Sequence, residues 1–176
     1  ISKIVIQDSF KLIKNKNKRA SVNISFDNIA NEETTAFIYD ILEKNKEYTK
    51  FLEFEILESE EISDFNEVSK FIAEIKKFDC IVGVDDFGAG YSNFNLLTLL
   101  DIDFVKIDGS LIEKINTSKD LEIIVNTIAN FSKEFKVKTV AEYVSNEDIY
   151  NKIKELNIDY CQGYYFDRPL SYDNIK

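Results

Sequence analysis

Cys80-Ile81-Val82-Gly83-Val84-Asp85-Asp86-Phe87-Gly88-Ala89-Gly90-Tyr91-Ser92 reads as a buried strand running directly into two carboxylates and a loop with two glycines. Its first five residues are almost continuously apolar, as a strand covered on both faces must be. Such a strand belongs to a parallel sheet flanked by helices. Adjacent carboxylates after a buried strand repel one another unless a cation or hydrogen bonds hold them. Fold and chemistry therefore meet at this junction.

The residues on either side repeat the arrangement. Besides Cys80–Asp85, strands are predicted at Ala20–Ser25, Phe51–Leu57, Phe104–Ile107, Val137–Ala141 and Ile158–Cys161. Helix-period stretches separate them. Phe37, Ile38, Ile41 and Leu42 share one face of Thr35–Lys46, and Val68, Phe71, Ile72 and Ile75 repeat the spacing. Leu121, Ile124, Val125 and Ile128 do so again, with Thr117 or Ser118 as the expected cap. Strands alternating with helices imply βαβ units in a single α/β domain spanning residues 1–176.

The residues that end the strands narrow the choice of α/β fold. Asn23 lies near the end of the first, Glu55 and Glu58 at the second, and Asp85-Asp86 at the third. Lys106 and Asp108 mark the fourth, Glu142 the fifth and Gln162 the sixth. One such acid alone is usually a helix cap, and Lys106 alone a snorkelling surface lysine. Polar residues at all six ends instead suit a closed TIM-type (β/α) barrel, whose active sites gather at that face; an open doubly wound sheet collects ligands mainly at one switch point. A full barrel has eight strands in roughly 250 residues, so six units are expected here, with two before Ile1. Asn23, Glu55, Asp85, Asp86 and Glu142 offer hard oxygen donors that suit Mg²⁺ or Mn²⁺ and not a structural zinc.

Asp85-Asp86-Phe87-Gly88-Ala89-Gly90-Tyr91-Ser92 closely resembles the DDFGTGYS loop of EAL-domain cyclic di-GMP phosphodiesterases. Val22-Asn23-Ile24-Ser25 is similar to that family's VNLS, and Glu55-Ile56-Leu57-Glu58-Ser59 to its ELTES. Lys106-Ile107-Asp108 matches KID, and Val140-Ala141-Glu142 the start of VAEGVE. Gln162-Gly163-Tyr164 with Arg168-Pro169-Leu170 matches QGYLFSRPL. The resemblance covers residues 22–170.

The resemblance implies a two-metal phosphodiesterase that cuts cyclic di-GMP to linear pGpG. Asn23, Glu55 and Asp85 would bind the first ion, Asp85 and Asp86 the second, and Glu142 that ion or its water. Lys106 would orient the attacking water, Glu58 would brace the Asp86–Ser92 loop, and Gln162 would line the substrate pocket. Partners implied by the family are a second copy docked through the metal-loop region and upstream GGDEF or sensor domains. The chain departs from the family at Tyr143, where Gly is usual, at Ser145 in place of Glu, and at Gly109, where many members carry Arg. The Glu-Ala-Leu motif itself is expected upstream of Ile1, so the domain is expected to be N-terminally incomplete. Two other readings stay open: a degenerate member acting as a cyclic di-GMP receptor or protein-interaction module, and an unrelated barrel such as an enolase-type lyase. The full set of ligands within the covered stretch favours catalysis, and the joint motifs argue against the lyase.

Composition bounds the rest. A formal net charge of −10 over 176 residues argues against a DNA or RNA polymer as partner, though metal ions can reverse the local sign for a small anion. The absence of histidine excludes it as base or ligand. Cys80 and Cys161, each in an apolar run, are expected to be free, buried thiols of a reducing compartment. No apolar run approaches the roughly 20 residues of a membrane span and none reads as a signal peptide. The expected place is therefore the bacterial cytoplasm, with any tether in upstream domains.

Overall fold

Six strands hydrogen-bond in chain order into one parallel sheet: β1 (Ala20–Ile24), β2 (Leu52–Leu57), β3 (Ile81–Phe87), β4 (Phe104–Ile107), β5 (Lys138–Ala141) and β6 (Tyr160–Cys161). The structure is a computed structural model that describes residues 3–57, 65–89 and 94–175. Among the described residues the strand order never reverses, so they form no switch point of the doubly wound kind. Consecutive winding in one direction is the topology of a TIM-type barrel. Among the described residues β1 pairs only with β2 and β6 only with β5, so the ring is not closed and both are edge strands.

Helices cover one face. They are α1 (Lys3–Lys16), α2 (Phe26–Ala30), α3 (Glu32–Glu43), α4 (Phe65–Lys76), α5 (Asn95–Leu99), α6 (Gly109–Glu113), α7 (Lys119–Glu134) and α8 (Glu147–Glu155). The period of two in each strand sends Val22, Ile24, Phe54, Ile56, Val82, Val84, Val105, Ile107 and Ala141 into a single apolar core with Ile38, Leu42, Phe71, Ile75, Val125 and Ile128. Phe54 and Phe71 meet edge to face there, with centroids 6.1 Å apart. The alternate positions, among them Asn23, Glu55, Gly83 and Lys106, face the barrel interior. Phe104 fills that interior beneath the polar end: a Cβ on Gly83 would stand 2.3 Å from its ring.

The predicted strands are all present with shifted ends. β3 runs two residues past Asp85, and β6 is reduced to two residues. β6 is short because Asp159, just before it, turns its side chain to Thr139 and Lys138. Ser118, and not Thr117, caps α7 by accepting from Leu121 N at 3.4 Å. Cys80 is buried as expected, but Cys161 is only half-buried because it lies on the edge strand; both thiols are free. Burial pushes the Cys80 thiol up to about 12. No helix of the described residues is long and apolar enough to cross a membrane.

Candidate functional site

The junction after Val84 is a β-bulge. Val84 lies opposite Val105 and Phe87 opposite Ile107, so Asp85 and Asp86 together face the single residue Lys106. In a regular strand the two aspartates would point to opposite faces. Asp86 instead takes φ +54°, in the left-handed region that Asp tolerates better than most residues. Its N–H donates back to Asp85 Oδ1 at 3.1 Å. Carboxylate oxygens of Asp85, Asp86 and Glu142 consequently all lie within 4.8 Å of one another.

Lys106 stands among them from the middle of the sheet. Its Nζ is 2.8 Å from Asp85 Oδ1, 2.8 Å from Glu142 Oε1 and 3.3 Å from Glu55 Oε2. All four of these side chains are buried. Gln162 Nε2 donates to the same Glu142 Oε1 at 2.7 Å. Asn23 is in register with Glu55 on the neighbouring strand, which places both on the interior face. Asn23 and Gln162 are exposed because they lie at the two edges of the sheet, Asn23 in β1 and Gln162 directly after β6.

One ammonium does not balance the acids around it. Burial pushes the Asp86 carboxyl up, reinforced by the Asp85 and Asp108 charges and opposed by Lys106. Burial also pushes Glu142 up, in spite of its bond to Lys106. For Lys106 itself, burial works to lower the pKa, but hydrogen bonds to Asp85 and Glu142 and the Glu55 charge outweigh it, and the net shift is upward. This crowding of oxygen donors, with no thiolate or imidazole among them, fits a hard divalent cation.

The structure thus brings Glu55, Asp85, Asp86, Lys106, Glu142 and Gln162 together and sets Asn23 beside them. Glu58 lies outside the described residues, as do Gly90, Tyr91 and Ser92 of the loop. Asp108 splits its role: its Oδ1 accepts from Ser110 N at 2.9 Å as the cap of α6, while its charge bears on Asp86. A cavity of about 460 Å³ adjoins Gln162 and is walled by Tyr143, Tyr164 and Arg168. A wider opening of about 550 Å³ lies at the other end of the sheet. There Arg19 meets Glu53 at 2.8 Å and Lys138 meets Asp159 at 2.6 Å, so its charges are paired. Chemistry, not size, selects the first. The bulge and the Tyr143 wall were not foreseen; the Asp-Asp doublet was the available signal for the bulge, since a doublet can share a face only if the strand breaks its alternation.

Comparison with known proteins points the same way. The sequence profile described as the EAL domain matches residues 1–169. The cyclic di-GMP phosphodiesterase PdeA of Borreliella burgdorferi is 35% identical over 149 residues, 85% of this chain and 22% of that protein. The cyclic di-GMP phosphodiesterase PdeF of Escherichia coli is 31% identical over 152 residues, 86% of this chain and 20% of that protein. The chain therefore spans about a fifth of the length of these curated relatives. Among solved structures, an EAL domain protein from Listeria monocytogenes superposes with a TM-score of 0.89 at 33% identity, covering 98% of this chain and 70% of that one.

Proposed function

This chain belongs to the EAL domain family, and from that premise we propose that it is a divalent-metal-dependent phosphodiesterase that hydrolyses cyclic di-GMP to linear pGpG. The observation that carries the reading is the convergence of Asp85, Asp86 and Glu142 around Lys106 at the C-terminal ends of the strands. Asn23, Glu55 and Asp85 would hold one Mg²⁺ or Mn²⁺, and Asp85, Asp86 and Glu142 a second. Two such ions supply a more acidic water and neutralise the phosphodiester and its leaving oxygen.

The chain's own residues do the positioning. Lys106 donates from Nζ and, fixed between Asp85 and Glu142, orients the attacking water in line with the scissile bond. Glu142 is held in place through Oε1 by Lys106 and Gln162, and its other oxygen would meet the second ion or its water. Water adds across one P–O3′ bond: hydroxide goes to phosphorus and the proton to the departing 3′ oxygen. Gln162 lines the pocket that receives the dinucleotide. The same reading gives the protein a second copy docked through the loop after Asp86, with GGDEF or sensor domains upstream.

The test is product analysis with cyclic di-GMP and Mn²⁺ or Mg²⁺, with and without chelator. Linear pGpG with metal and no turnover in chelator are expected. Turnover that survives chelation would sink the two-metal mechanism, and metal-independent binding without turnover would turn the reading to a receptor.

A further inference from the structure

Tyr143 follows Glu142 directly and holds φ +55°, a backbone conformation that aromatic L residues rarely adopt. Its ring lies against Gly109: a Cβ built on Gly109 would stand 2.2 Å from Tyr143 Cδ2 and 2.6 Å from Cγ. The absence of a side chain at 109 is thus what seats the ring. Two of the three positions where the chain departs from its family's usual residues, Tyr143 and Gly109, are therefore one feature, a ring supplied from the end of β5 and a space left open after β4.

The ring is not tucked away. It remains 69% exposed and lines the cavity of about 460 Å³ that also contains Gln162, Tyr164 and Arg168. Arg168 lies over the Tyr164 ring, 4.8 Å from its centroid, so that aromatic face is already covered. Tyr143 has one side on Gly109 and offers the other to the cavity, next to the glutamate that Gln162 holds. An exposed aromatic face beside a phosphodiester site is a platform for a nucleobase.

We propose that Tyr143, seated by Gly109, is a specificity-determining residue whose ring stacks on a guanine base of the substrate. The inference rests on the proposed cyclic di-GMP activity and adds a role to it. Stacking needs the ring and not its hydroxyl, so Tyr143→Phe should behave as the parent, while Tyr143→Gly should raise KM about tenfold with kcat within about twofold. Gly109→Ala, by forcing the ring from its seat, should raise KM in the same way, and adding Tyr143→Gly to it should change nothing further. The Mn²⁺ activation midpoint should not move in any of them.

The measurement is steady-state hydrolysis of cyclic di-GMP on the full chain, with thermal melting as a folding control. An unchanged KM in Tyr143→Gly, or a loss that Tyr143→Phe shares, overturns the stacking role while parent turnover leaves the activity itself standing. Loss of kcat together with a shifted Mn²⁺ midpoint also overturns it, since that would mark Tyr143 as a support for the carboxylates. A parent that neither binds nor cleaves cyclic di-GMP removes the activity and the inference together.

Discussion

At the start of β4 and of β6, Asp103 and Asp159 do with their carboxylates what Asp86 and Glu142 do not do at the other end of the sheet. Asp103 accepts from Val82 N and from Lys76 Nζ, both at 2.8 Å. Asp159 accepts from Thr139 N at 3.0 Å and from Lys138 Nζ at 2.6 Å. Each acid ties a neighbouring strand's backbone and pairs with a lysine, Lys76 being shared with Asp101 at 3.3 Å. Burial works to raise the Asp159 carboxyl, but these bonds outweigh it and hold it below the usual range. Across the sheet Asp86 and Glu142 are pushed up, and one lysine serves three acids. The same residue types are spent on stability at one end and kept under repulsion at the other, where a cation can be used.

Removing the shared lysine is the harshest way to break that contrast. Lys106→Met leaves Glu55, Asp85 and Glu142 buried with no ammonium among them. An uncompensated buried charge costs about 3 kcal/mol or more, so urea denaturation in chelator should show a loss of that order. Turnover should fall about 10²- to 10⁴-fold, the range for removing a group that orients or transfers a proton. Mn²⁺ should restore part of the stability and none of the rate. A variant as stable as the parent in chelator would mean that the acids are already neutral and that no repulsion is stored.

The cation and the proton should compete for the upper end alone. Asp86 and Glu142 have raised pKa values in the fold, so between their ordinary and raised values the native state binds more protons than the unfolded one. Stability of the metal-free protein contributed by these groups therefore falls as pH rises through that window. Mn²⁺ at about a hundred times its dissociation constant adds about 2.7 kcal/mol, or about 5–10 °C in Tm for a chain of this size. That gain should be full above the window and shrink as pH falls through it. Calorimetry with and without Mn²⁺ across pH checks this, and a gain independent of pH would detach the metal from these carboxylates.

How much of this was legible follows from which signals are local. The six strands and their polar ends could be read because parallel barrel strands are short apolar runs with an abrupt polar stop. Glu55, Lys106 and Glu142 could be placed for that reason. α1 was not singled out, although Ile6, Phe10 and Ile13 are its buried face; α8 buries only Ile149 and Ile153, too few to mark a period. The bulge at Asp86 escaped because register is a property of two strands, and Lys106 gives no sign of facing two residues. The pairing of Tyr143 with Gly109 escaped likewise. Each was visible as a departure, but their contact across 34 positions of sequence exists only in the fold.

The smallest expected effect belongs to the lower end, and it discriminates because of its sign. Asp159→Asn keeps the shape and can still accept from Thr139, but it gives up the charge that meets Lys138. The side chain is partly exposed, so solvent screening limits the loss to about 1 kcal/mol, or about 3 °C. A carboxylate whose pKa is lowered by folding contributes stability above its ordinary pKa and loses it as pH falls through the folded value. The gap between parent and variant should therefore be full at neutral pH and close in acid, the reverse of the trend that Asp86 and Glu142 impose on the metal-free protein. The Mn²⁺ gain and the KM for substrate should be the same in both chains. A gap that persists unchanged below the carboxylate range would assign the role of Asp159 to hydrogen-bond geometry, leaving the contrast between the two ends to rest on Asp86 and Glu142 alone.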